Sequence, residues 1–330
     1  MIEAENLGKS YGDFTAVKDV TFSVRPGEIV GLLGPNGAGK TSIMKILTGY
    51  HFPSRGRAVV GGYDVEQNPV KVKAAVGYLP ESSPVYGEFS VEEYLGFVAA
   101  ARGIAPNSRE RAIAAAIREC GLEKMRRRTI SKLSKGYRQR TGLAQAIIHN
   151  PAILILDEPT AGLDPNQIAE VRRLIRKMGN EKTVILSTHI LQEVEALCDR
   201  ILILNEGLIA AGGTRDEIAA QLKGGQRYEL VIKSEKSLSR EDLAGIPGLT
   251  GVGDFQRMPD EGGASGSGGF QLYEARLSLE AGVEGGDVLF DWALAKGYRL
   301  RALTKQRYSL EALFARFTEA DGAGQEETNA

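Results

Sequence analysis

The sequence has few cysteines and histidines and almost no net charge. Its 330 residues include two cysteines, three histidines and one tryptophan. Cys120 and Cys198 are too few for a disulfide framework, and each lies on a predicted helix as a small apolar residue. The 41 Lys and Arg residues against 42 Asp and Glu residues leave a net charge of −1, so there is no electrostatic reason to expect a nucleic-acid partner.

Long apolar runs are also missing. No stretch approaches the roughly 18 apolar residues that a membrane-spanning helix needs. The first residues, MIEAENLGKSYG, lack the apolar segment of a secretion signal. The 42% of hydrophobic residues excludes a wholly disordered chain. We therefore expect a cytosolic chain of about two globular domains.

The pattern of the chain changes near residue 223. Before this point, short apolar runs alternate with helical patterns. The runs GEIVGLLG, AILILDEP, KTVILSTH and RILILNEG have the composition of buried parallel strands. Strands that alternate with helices predict an α/β domain with a largely parallel sheet.

After residue 223 the order of predicted elements is βαββαβ, which is typical of a split βαβ sandwich. The strands are predicted at RYELVIK, around residues 252–255, at FQLYEARLSL and at YRLRALT, and the helices at SREDLAGI and around Trp292. The composition also predicts a Gly/Ser-rich loop at 261–269, a last helix capped by Ser309 and a disordered tail at 321–330.

Residues 34–41, GPNGAGKT, fit the phosphate-binding pattern G-x-x-x-x-G-K-[ST] between a predicted strand and a predicted helix. Glycines let backbone N–H groups converge on phosphate oxygens, and the helix N-terminus adds the positive end of its dipole. Lys40 is predicted to reach the β- and γ-phosphates, and the Thr41 hydroxyl to ligate Mg²⁺. The residues predicted to contact the nucleotide here are Gly34, Pro35, Asn36, Gly37, Ala38, Gly39, Lys40, Thr41 and Ser42.

Two consecutive carboxylates, Asp157 and Glu158, follow the predicted strand AILIL. The carboxyl ends of strands in open α/β sheets are where ligands bind. Asp157 is therefore a candidate for the Mg²⁺ shell, and Glu158 is a candidate general base or water-orienting residue. A strand that simply ends in an acidic turn would give the same pattern.

A third segment, LSKGYRQR at residues 133–140, begins a predicted helix. Ser134 is a favourable helix cap, and Gly136 would let a phosphate approach the amides of the first turn. An ordinary capped basic helix explains these residues equally well. Asp164, followed by Pro165, likewise predicts a helix start.

The ordered set GPNGAGKT, LSKGYRQR, LILDEPT, AGLD and STH resembles the ATP-binding subunits of ABC transporters over about residues 1–222. The tracts LSKGYRQRTGLAQAI and STHILQEVEALCDR are similar to ABC-2-type exporter ATPases, particularly the gliding-motility-associated branch. The resemblance implies a P-loop NTPase cassette with a mixed sheet core and a helical subdomain at about 82–150. The α+β pattern would then form a small ferredoxin-like accessory domain at 223–320.

The resemblance also implies roles for individual residues. Tyr11 would stack on adenine, although a tyrosine that packs locally on an edge strand is an alternative. Ser134 and Gly136 would contact the γ-phosphate of ATP held by the other subunit of a head-to-tail homodimer, and Asp164 would communicate across it. His189 would hydrogen-bond the γ-phosphate. The implied catalytic residues are Lys40, Glu158 and His189.

Two positions depart from the family pattern. Glu81 stands where a glutamine is usual, and Lys135 stands in the LSKG segment where many members have glycine. A carboxylate at Glu81 can still ligate Mg²⁺, but it adds negative charge near the γ-phosphate and donates no hydrogen bond when ionised. The implied metal ligands are Thr41, Asp157 and Glu81.

The implied partners are ATP with Mg²⁺, a second copy of the chain and separate transmembrane permease subunits. The protein would then lie at the cytoplasmic face of the cell membrane, held there by the permease, with no nucleic acid bound. Tyr86, Phe89 and Tyr94 are candidates for the permease contact, or they are plain core residues. An alternative is a soluble ABC-fold protein that acts on DNA or ribosomes, which the near-neutral charge disfavours.

Overall fold

The computed structural model describes residues 1–82, 85–221, 226–258, 270–280, 283–306 and 314. By contacts between Cα atoms the chain divides into two compact units, the first containing Met1–Arg215 and the second containing Asp216–Leu313. The predicted loop at 261–269, the helix capped by Ser309 and the tail at 321–330 lie outside the described residues.

The first unit contains a ten-stranded sheet. Its strands are β1 (Ile2–Tyr11), β2 (Phe14–Val24), β3 (Ile29–Leu33), β4 (Arg55–Val60), β5 (Tyr63–Asp64), β6 (Val76–Leu79), β7 (Ile153–Asp157), β8 (Thr183–Thr188), β9 (Arg200–Asn205) and β10 (Leu208–Gly213). Its helices are α1 (Lys40–Leu47), α2 (Pro69–Ala75), α3 (Val91–Ala101), α4 (Pro106–Glu119), α5 (Lys135–Ile147), α6 (Pro165–Gly179) and α7 (Leu191–Leu197), and α8 (Arg215–Gln221) begins where the unit ends. Short 3-10 helices lie at Glu123–Met125 and Ile130–Lys132.

The strand order is β5-β4-β1-β2-β10-β9-β3-β8-β7-β6, and the sheet is mixed. Strands β6, β7, β8, β3 and β9 form a parallel half, in which β3 pairs with both β8 and β9. Strands β1, β2, β4 and β5 form an antiparallel half. The parallel half contains the strands that the apolar runs predicted.

Both faces of the parallel half are covered, which is why its strands are apolar without alternation. Ile153, Ile155 and Ile185 belong to the same core cluster as the apolar residues of α1. Leu154 and Leu186 belong to a second cluster, which includes the apolar faces of α3 to α6. Two separate cores therefore hold the carboxyl ends of β3, β7 and β8 in fixed register.

One close approach explains a glycine in the middle of β3. A Cβ on Gly31 would lie 2.7 Å from the Sγ atom of Cys198, the residue that follows α7. The missing side chain lets the end of α7 pack directly on the strand. Burial raises the pKa of the Cys198 thiol, which behaves as an apolar core group.

The second unit contains a four-stranded antiparallel sheet with the order β12-β13-β11-β14. Its elements are β11 (Gln226–Ser234), a 3-10 helix (Glu241–Gly245), β12 (Leu249–Met258), β13 (Gln271–Leu279), α9 (Gly285–Ala295) and β14 (Arg299–Gln306). Trp292 and Leu289 of α9 share one core with Leu230 and Ile232 of β11. The strand expected around 252–255 is longer at both ends.

No helix among the described residues is both long enough and apolar enough to cross a membrane.

Candidate functional site

The phosphate-binding pattern forms the turn between β3 and α1. Gly37 and Gly39 have φ angles of 86° and 104°, in the left-handed region that favours glycine. A Cβ on Gly34 would lie 2.4 Å from the carbonyl oxygen of Leu204, and one on Gly39 would lie 2.4 Å from that of Ala16. Glycine at these two positions therefore allows the loop to fold tightly between β2 and β9.

The ammonium of Lys40 lies inside this turn. The Lys40 side chain is 6% exposed, and its Nζ atom donates to the carbonyl oxygens of Gly34 at 2.8 Å and Pro35 at 3.1 Å. Nζ also lies 3.6 Å from Oε1 of Glu158. The loop thus holds a buried ammonium group against two of its own carbonyl oxygens.

Asp157 ends β7, and its carboxylate faces the start of α1. The side-chain oxygen Oδ1 accepts from Ser187 Oγ at 2.6 Å and from Thr41 Oγ1 at 3.4 Å. Burial raises the pKa of Asp157, and the negative charge of Glu81 adds to that rise, while the two hydroxyls and Lys40 oppose it. A buried carboxylate with a raised pKa is a group that a bound cation would stabilise in its charged form.

Glu158 turns its carboxylate into the same space. Its φ angle is 47°, unusual for a residue other than glycine, and its backbone N–H donates to Ser187 Oγ at 2.9 Å. The Oε2 atom lies 2.9 Å from Nδ1 of His189. One oxygen therefore faces the Lys40 ammonium and the other the imidazole, and the side chain is only 8% exposed.

Lys40, Glu158 and His189 line one cavity of about 430 Å³, and Asp157 lies behind Thr41, which also lines it. Its lining includes Phe14, Ala16, Asn36, Gly37, Gly39, Lys40, Thr41, Ser42, Glu81, Glu158, Ala161 and His189. The sequence motifs at 34–41, 157–158 and 189 are thus brought together.

Glu81, which lines this cavity, has an exposed side chain. Its position beside the cavity agrees with the contribution of its charge to the raised pKa of Asp157.

Tyr11 lies next to the cavity without lining it. Its Oη donates to Ser42 Oγ at 3.4 Å, its ring meets His51 edge-on at 5.7 Å, and Lys9 Nζ lies 5.2 Å from the ring centre. The aromatic residue that does line the cavity is Phe14, 63% exposed. Sequence reasoning missed Phe14 because no motif includes it.

The remaining predicted residues lie at the starts of α5 and α6. Ser134 Oγ accepts from the N–H of Tyr137 at 3.4 Å, and Asp164 Oδ1 accepts from the N–H of Gln167 at 2.9 Å, so both cap helices as expected. A Cβ on Gly136 would lie 2.7 Å from the Gln167 side chain. The two helix starts therefore pack against each other.

Ser134 and Asp164 are exposed at the two helix starts, whereas Gly136 is buried next to Gln167. Of the residues that the structure describes, none of these three lines the cavity around Lys40. Within a single chain, these residues and the phosphate loop do not form one pocket.

Comparison with known proteins gives the family. The ABC transporter family profile matches residues 17–161. The linearmycin resistance ATP-binding protein LnrL of Bacillus subtilis is 34% identical over 257 residues, which cover 77% of this chain and 81% of LnrL. The chain belongs to the ABC transporter ATP-binding proteins. As a member of this family it binds ATP and is an ATPase.

Solved structures agree with this assignment. An ATP-binding subunit of an ABC transporter has a TM-score of 0.61 and 34% identity over 67% of this chain and 92% of that chain. A dimeric ATP-binding cassette in a post-hydrolysis state, bound to ADP and Pi, has a TM-score of 0.59 and 22% identity over 65% of this chain and 98% of that chain. The latter supports the fold of this ABC ATPase.

Besides Phe14, two residues of the ABC ATPase site were not predicted individually. Ser187 bonds both Asp157 and the backbone of Glu158, and Gln139 Nε2 donates to the carbonyl oxygen of Pro159 at 2.8 Å. Ser187 ends an apolar run beside another predicted strand, which is the signal that could have indicated it. The contact of Gln139 joins segments 20 residues apart, and the sequence contains no signal for it.

Proposed function

We propose that this chain is the ATP-binding subunit of an ABC-2-type exporter of the gliding-motility-associated branch. It acts as a head-to-tail homodimer with separate transmembrane permease subunits, at the cytoplasmic face of the cell membrane. The observation that supports this most is the Glu158 carboxylate, which lies between Lys40 and His189 beside the phosphate loop. The name of LnrL, a resistance protein, supports the direction of transport.

In this proposal the phosphates of ATP occupy the loop at 34–42. The amides of the loop and the Lys40 ammonium bind the phosphate oxygens. Lys40 then gives up its present hydrogen bonds to the carbonyl oxygens of Gly34 and Pro35. Adenine stacks on the ring of Tyr11 at the edge of the cavity, with Phe14 close by. The cavity volume of about 430 Å³ suits a small polar ligand.

The donor set also fits Mg²⁺. Thr41 Oγ1 and Asp157 Oδ1 are 3.4 Å apart, and both are hard oxygen donors of the kind that Mg²⁺ uses together with substrate phosphates. Glu81 lines the same cavity and is proposed as a further ligand. When bound, Mg²⁺ neutralises charge on the phosphate oxygens.

Hydrolysis follows from the position of Glu158. A water between Glu158 and the γ-phosphate gives a proton to the carboxylate while its oxygen attacks phosphorus, and the bond from phosphorus to the β–γ bridging oxygen breaks. Lys40 stabilises the negative charge that develops on the phosphate oxygens. His189, which bonds Glu158 at 2.9 Å, orients the base and is proposed to contact the γ-phosphate.

A second copy of the chain completes the site in this proposal. Ser134 is exposed at the start of α5, beside the helix start of Asp164, and these residues are absent from the cavity lining among the residues described. In a head-to-tail dimer, Ser134 and Gly136 of one subunit meet the γ-phosphate bound by the other, and Asp164 lies at the same interface. The solved neighbour described as dimeric supports the formation of a dimer.

The permease contact is proposed for an aromatic surface on the helical subdomain. Tyr86, Phe89 and Phe97 are 57%, 36% and 49% exposed, and their rings meet edge-on within 6.3 Å. Tyr94, which was a candidate for this contact, is buried. Exposed aromatic residues clustered in this way are typical of protein interfaces.

The domain limits are proposed as 1–222 for the ATPase, with the helical subdomain at about 82–150, and 223–320 for the accessory domain. The strand order of the four-stranded sheet supports a ferredoxin-like split βαβ fold for the latter. We propose that the accessory domain adds an interface for the dimer or the permease.

The variant Glu158→Gln tests this proposal. It keeps the shape of the base and removes its proton affinity, so ATP hydrolysis should fall about 10²- to 10⁴-fold. ATP binding should persist, and an ATP-dependent dimer should accumulate on size-exclusion chromatography. Phosphate release and nucleotide binding are measured on the same preparations.

Two controls accompany this experiment. Glu181→Gln, at an exposed residue after α6, should leave the rate unchanged. Lys40→Ala, added to Glu158→Gln, should weaken nucleotide binding and prevent the dimer. Full ATPase activity in Glu158→Gln would reject Glu158 as the base.

A further inference from the structure

Glu193 is a buried carboxylate that the proposed reaction does not use. It lies in α7, five residues after Thr188 along the chain, and it is 0% exposed. Burying a carboxylate costs free energy unless hydrogen bonds satisfy its oxygens. The bonds made by Glu193 therefore indicate what the residue is for.

Both oxygens of Glu193 accept from threonine hydroxyls. Oε2 accepts from Thr188 Oγ1 at 2.7 Å, and Oε1 accepts from Thr160 Oγ1. Thr188 Oγ1 in turn accepts from the N–H of Ile190 at 3.0 Å. Thr160 and Thr188 are themselves 2% and 0% exposed, so the whole group of Thr160, Thr188 and Glu193, here termed the Glu193 clamp, is buried.

The Glu193 clamp joins the two loops that hold the reactive groups. Thr160 follows Glu158 by two residues, and Thr188 directly precedes His189. The last pair in the β7–β8 ladder is Asp157 with Ser187. Glu158 and His189 therefore lie just beyond the ladder, where strand pairing no longer fixes their separation.

We propose that Glu193 is a positioning residue for ATP hydrolysis, which sets the geometry of Glu158 and His189 by holding Thr160 and Thr188 together. The inference rests on the proposed role of Glu158. Glu158 has a φ angle of 47°, a strained conformation that persists only where surrounding contacts enforce it. The clamp supplies such contacts through Thr160, Thr188 and Glu193, which are not among the residues that line the cavity.

The size of the expected effect follows from the sensitivity of proton transfer to distance. A displacement of about 1 Å at a reacting group lowers a rate by as much as a hundredfold. Loosening the Glu193 clamp should therefore lower kcat, whereas the phosphate loop, which binds ATP, is formed by β3 and α1 and should keep its affinity.

The test removes one hydroxyl of the clamp at constant shape. In Thr188→Val, kcat for ATP hydrolysis should fall about tenfold or more while the dissociation constant for ATP changes less than about twofold. Thr188→Ser restores the hydroxyl and should recover most of the lost rate. Glu193→Gln and Thr160→Val are parallel variants, which carry the test if Thr188→Val does not fold.

A matched control lies on the same strand. Thr183, at the other end of β8, is 5% exposed, and its Oγ1 accepts from the N–H of Gly27 at 3.0 Å. Thr183→Val also removes a buried hydroxyl bond and should lower the melting temperature similarly, but it should leave kcat unchanged. Equal losses of kcat in Thr183→Val and Thr188→Val would reduce the clamp to a stability element and overturn the proposal.

A spectroscopic measurement reports the geometry directly. With three histidines in the chain, ¹⁵N-histidine labelling and a His189→Gln reference assign the Nδ1 signal of His189. Thr188→Val and Glu193→Gln should shift this signal as the bond to Glu158 lengthens, and Thr183→Val should not. An unshifted signal with full kcat in both clamp variants would overturn the proposal. Glu158→Gln in the same assay separates the role of Glu158 as the base from the role of Glu193 as a positioning residue. Full turnover in Glu158→Gln would reject Glu158 as the base, whatever the clamp variants show.

Discussion

The two units of this protein differ in what they bury. Among the residues that the structure describes, the first unit buries thirteen polar or charged side chains, whereas the second buries one, Ser234. Seven of the thirteen adjoin the candidate site: Lys40, Asp157, Glu158, Thr160, Ser187, Thr188 and Glu193. The core of the second unit is built from aliphatic and aromatic residues around Trp292.

This difference separates groups kept for stability from groups kept for chemistry. A core made for stability alone would favour apolar residues, because each buried polar group loses its hydration. A concentration of such groups at the ends of β7 and β8 therefore indicates a function that offsets the loss. The second unit shows no comparable concentration in its described residues.

The largest expected effect contrasts two aspartates. Asp157→Asn should lower ATP hydrolysis about a hundredfold or more, because it removes a charged donor from the proposed metal site. It should not lower the stability of the nucleotide-free protein. Burial raises the pKa of Asp157, so its ionised form destabilises the fold above that pKa, and asparagine removes this penalty.

Asp242 in the second unit should behave in the opposite way. Hydrogen bonds from the backbone N–H and hydroxyl of Ser239 lower the pKa of Asp242, so its charged form stabilises the fold at neutral pH, and this is lost as the pH falls through that pKa. Asp242→Asn should lower the melting temperature slightly and leave ATPase activity unchanged. A lower melting temperature in Asp157→Asn would contradict the inference that ionised Asp157, unlike ionised Asp242, destabilises the fold.

The sequence predicted the elements that are set by local pattern. The apolar runs around β3, β7, β8 and β9 lie in the parallel half of the sheet, and Asp164 caps α6 as expected. Each of the motifs at 34–41, 157–158 and 189 contributes residues to the lining of one cavity, namely Asn36, Gly37, Gly39, Lys40, Thr41, Glu158 and His189. A strand end and a phosphate loop are each encoded within a few consecutive residues, so a local pattern is enough to indicate them.

Contacts between distant segments could not be predicted in the same way. Thr160 and Glu193 are 33 residues apart, and Gly31 needs its small size because Cys198 packs on it. Neither relationship produces a local pattern, since a threonine, a glutamate on a helix and a glycine in a strand are common. Only the register of β7 against β8 and the packing of α7 bring them together.

Glycine substitutions give the next effect. Gly34→Ala should destabilise the first unit by about 1–3 kcal/mol, since the added Cβ would lie 2.4 Å from a backbone oxygen that cannot move freely. Gly286→Ala, in the first turn of α9, meets nothing within 4 Å and should stabilise the second unit by about 0.4–1 kcal/mol. Urea unfolding measures both, and a neutral Gly34→Ala would show that the phosphate loop adapts.

The smallest effect separates the two units by pH. Burial, and to a lesser degree Arg102, lowers the pKa of His149 to about 4, from an ordinary value of 6.5. At pH values between about 4 and 6.5, His149 is protonated in the unfolded chain but not in the folded chain. The free energy of unfolding of the first unit should therefore decrease as the pH falls from 6.5. At pH 5.5 the loss should be at most about 1 kcal/mol, because solvent screens the half-buried ring.

The composition of the chain makes this measurement selective. Residues 216–313 contain no histidine, and they contain the one tryptophan, Trp292, which is buried. The midpoint of urea unfolding followed by far-UV circular dichroism should therefore move to a lower urea concentration from pH 7.5 to 5.5. The midpoint followed by Trp292 fluorescence should change less. His149→Gln keeps a donor for the carbonyl of Val76, which His149 Nε2 now contacts at 3.2 Å, and should flatten the pH dependence. If both probes shifted equally and His149→Gln changed neither, the acid sensitivity would belong to groups common to both units.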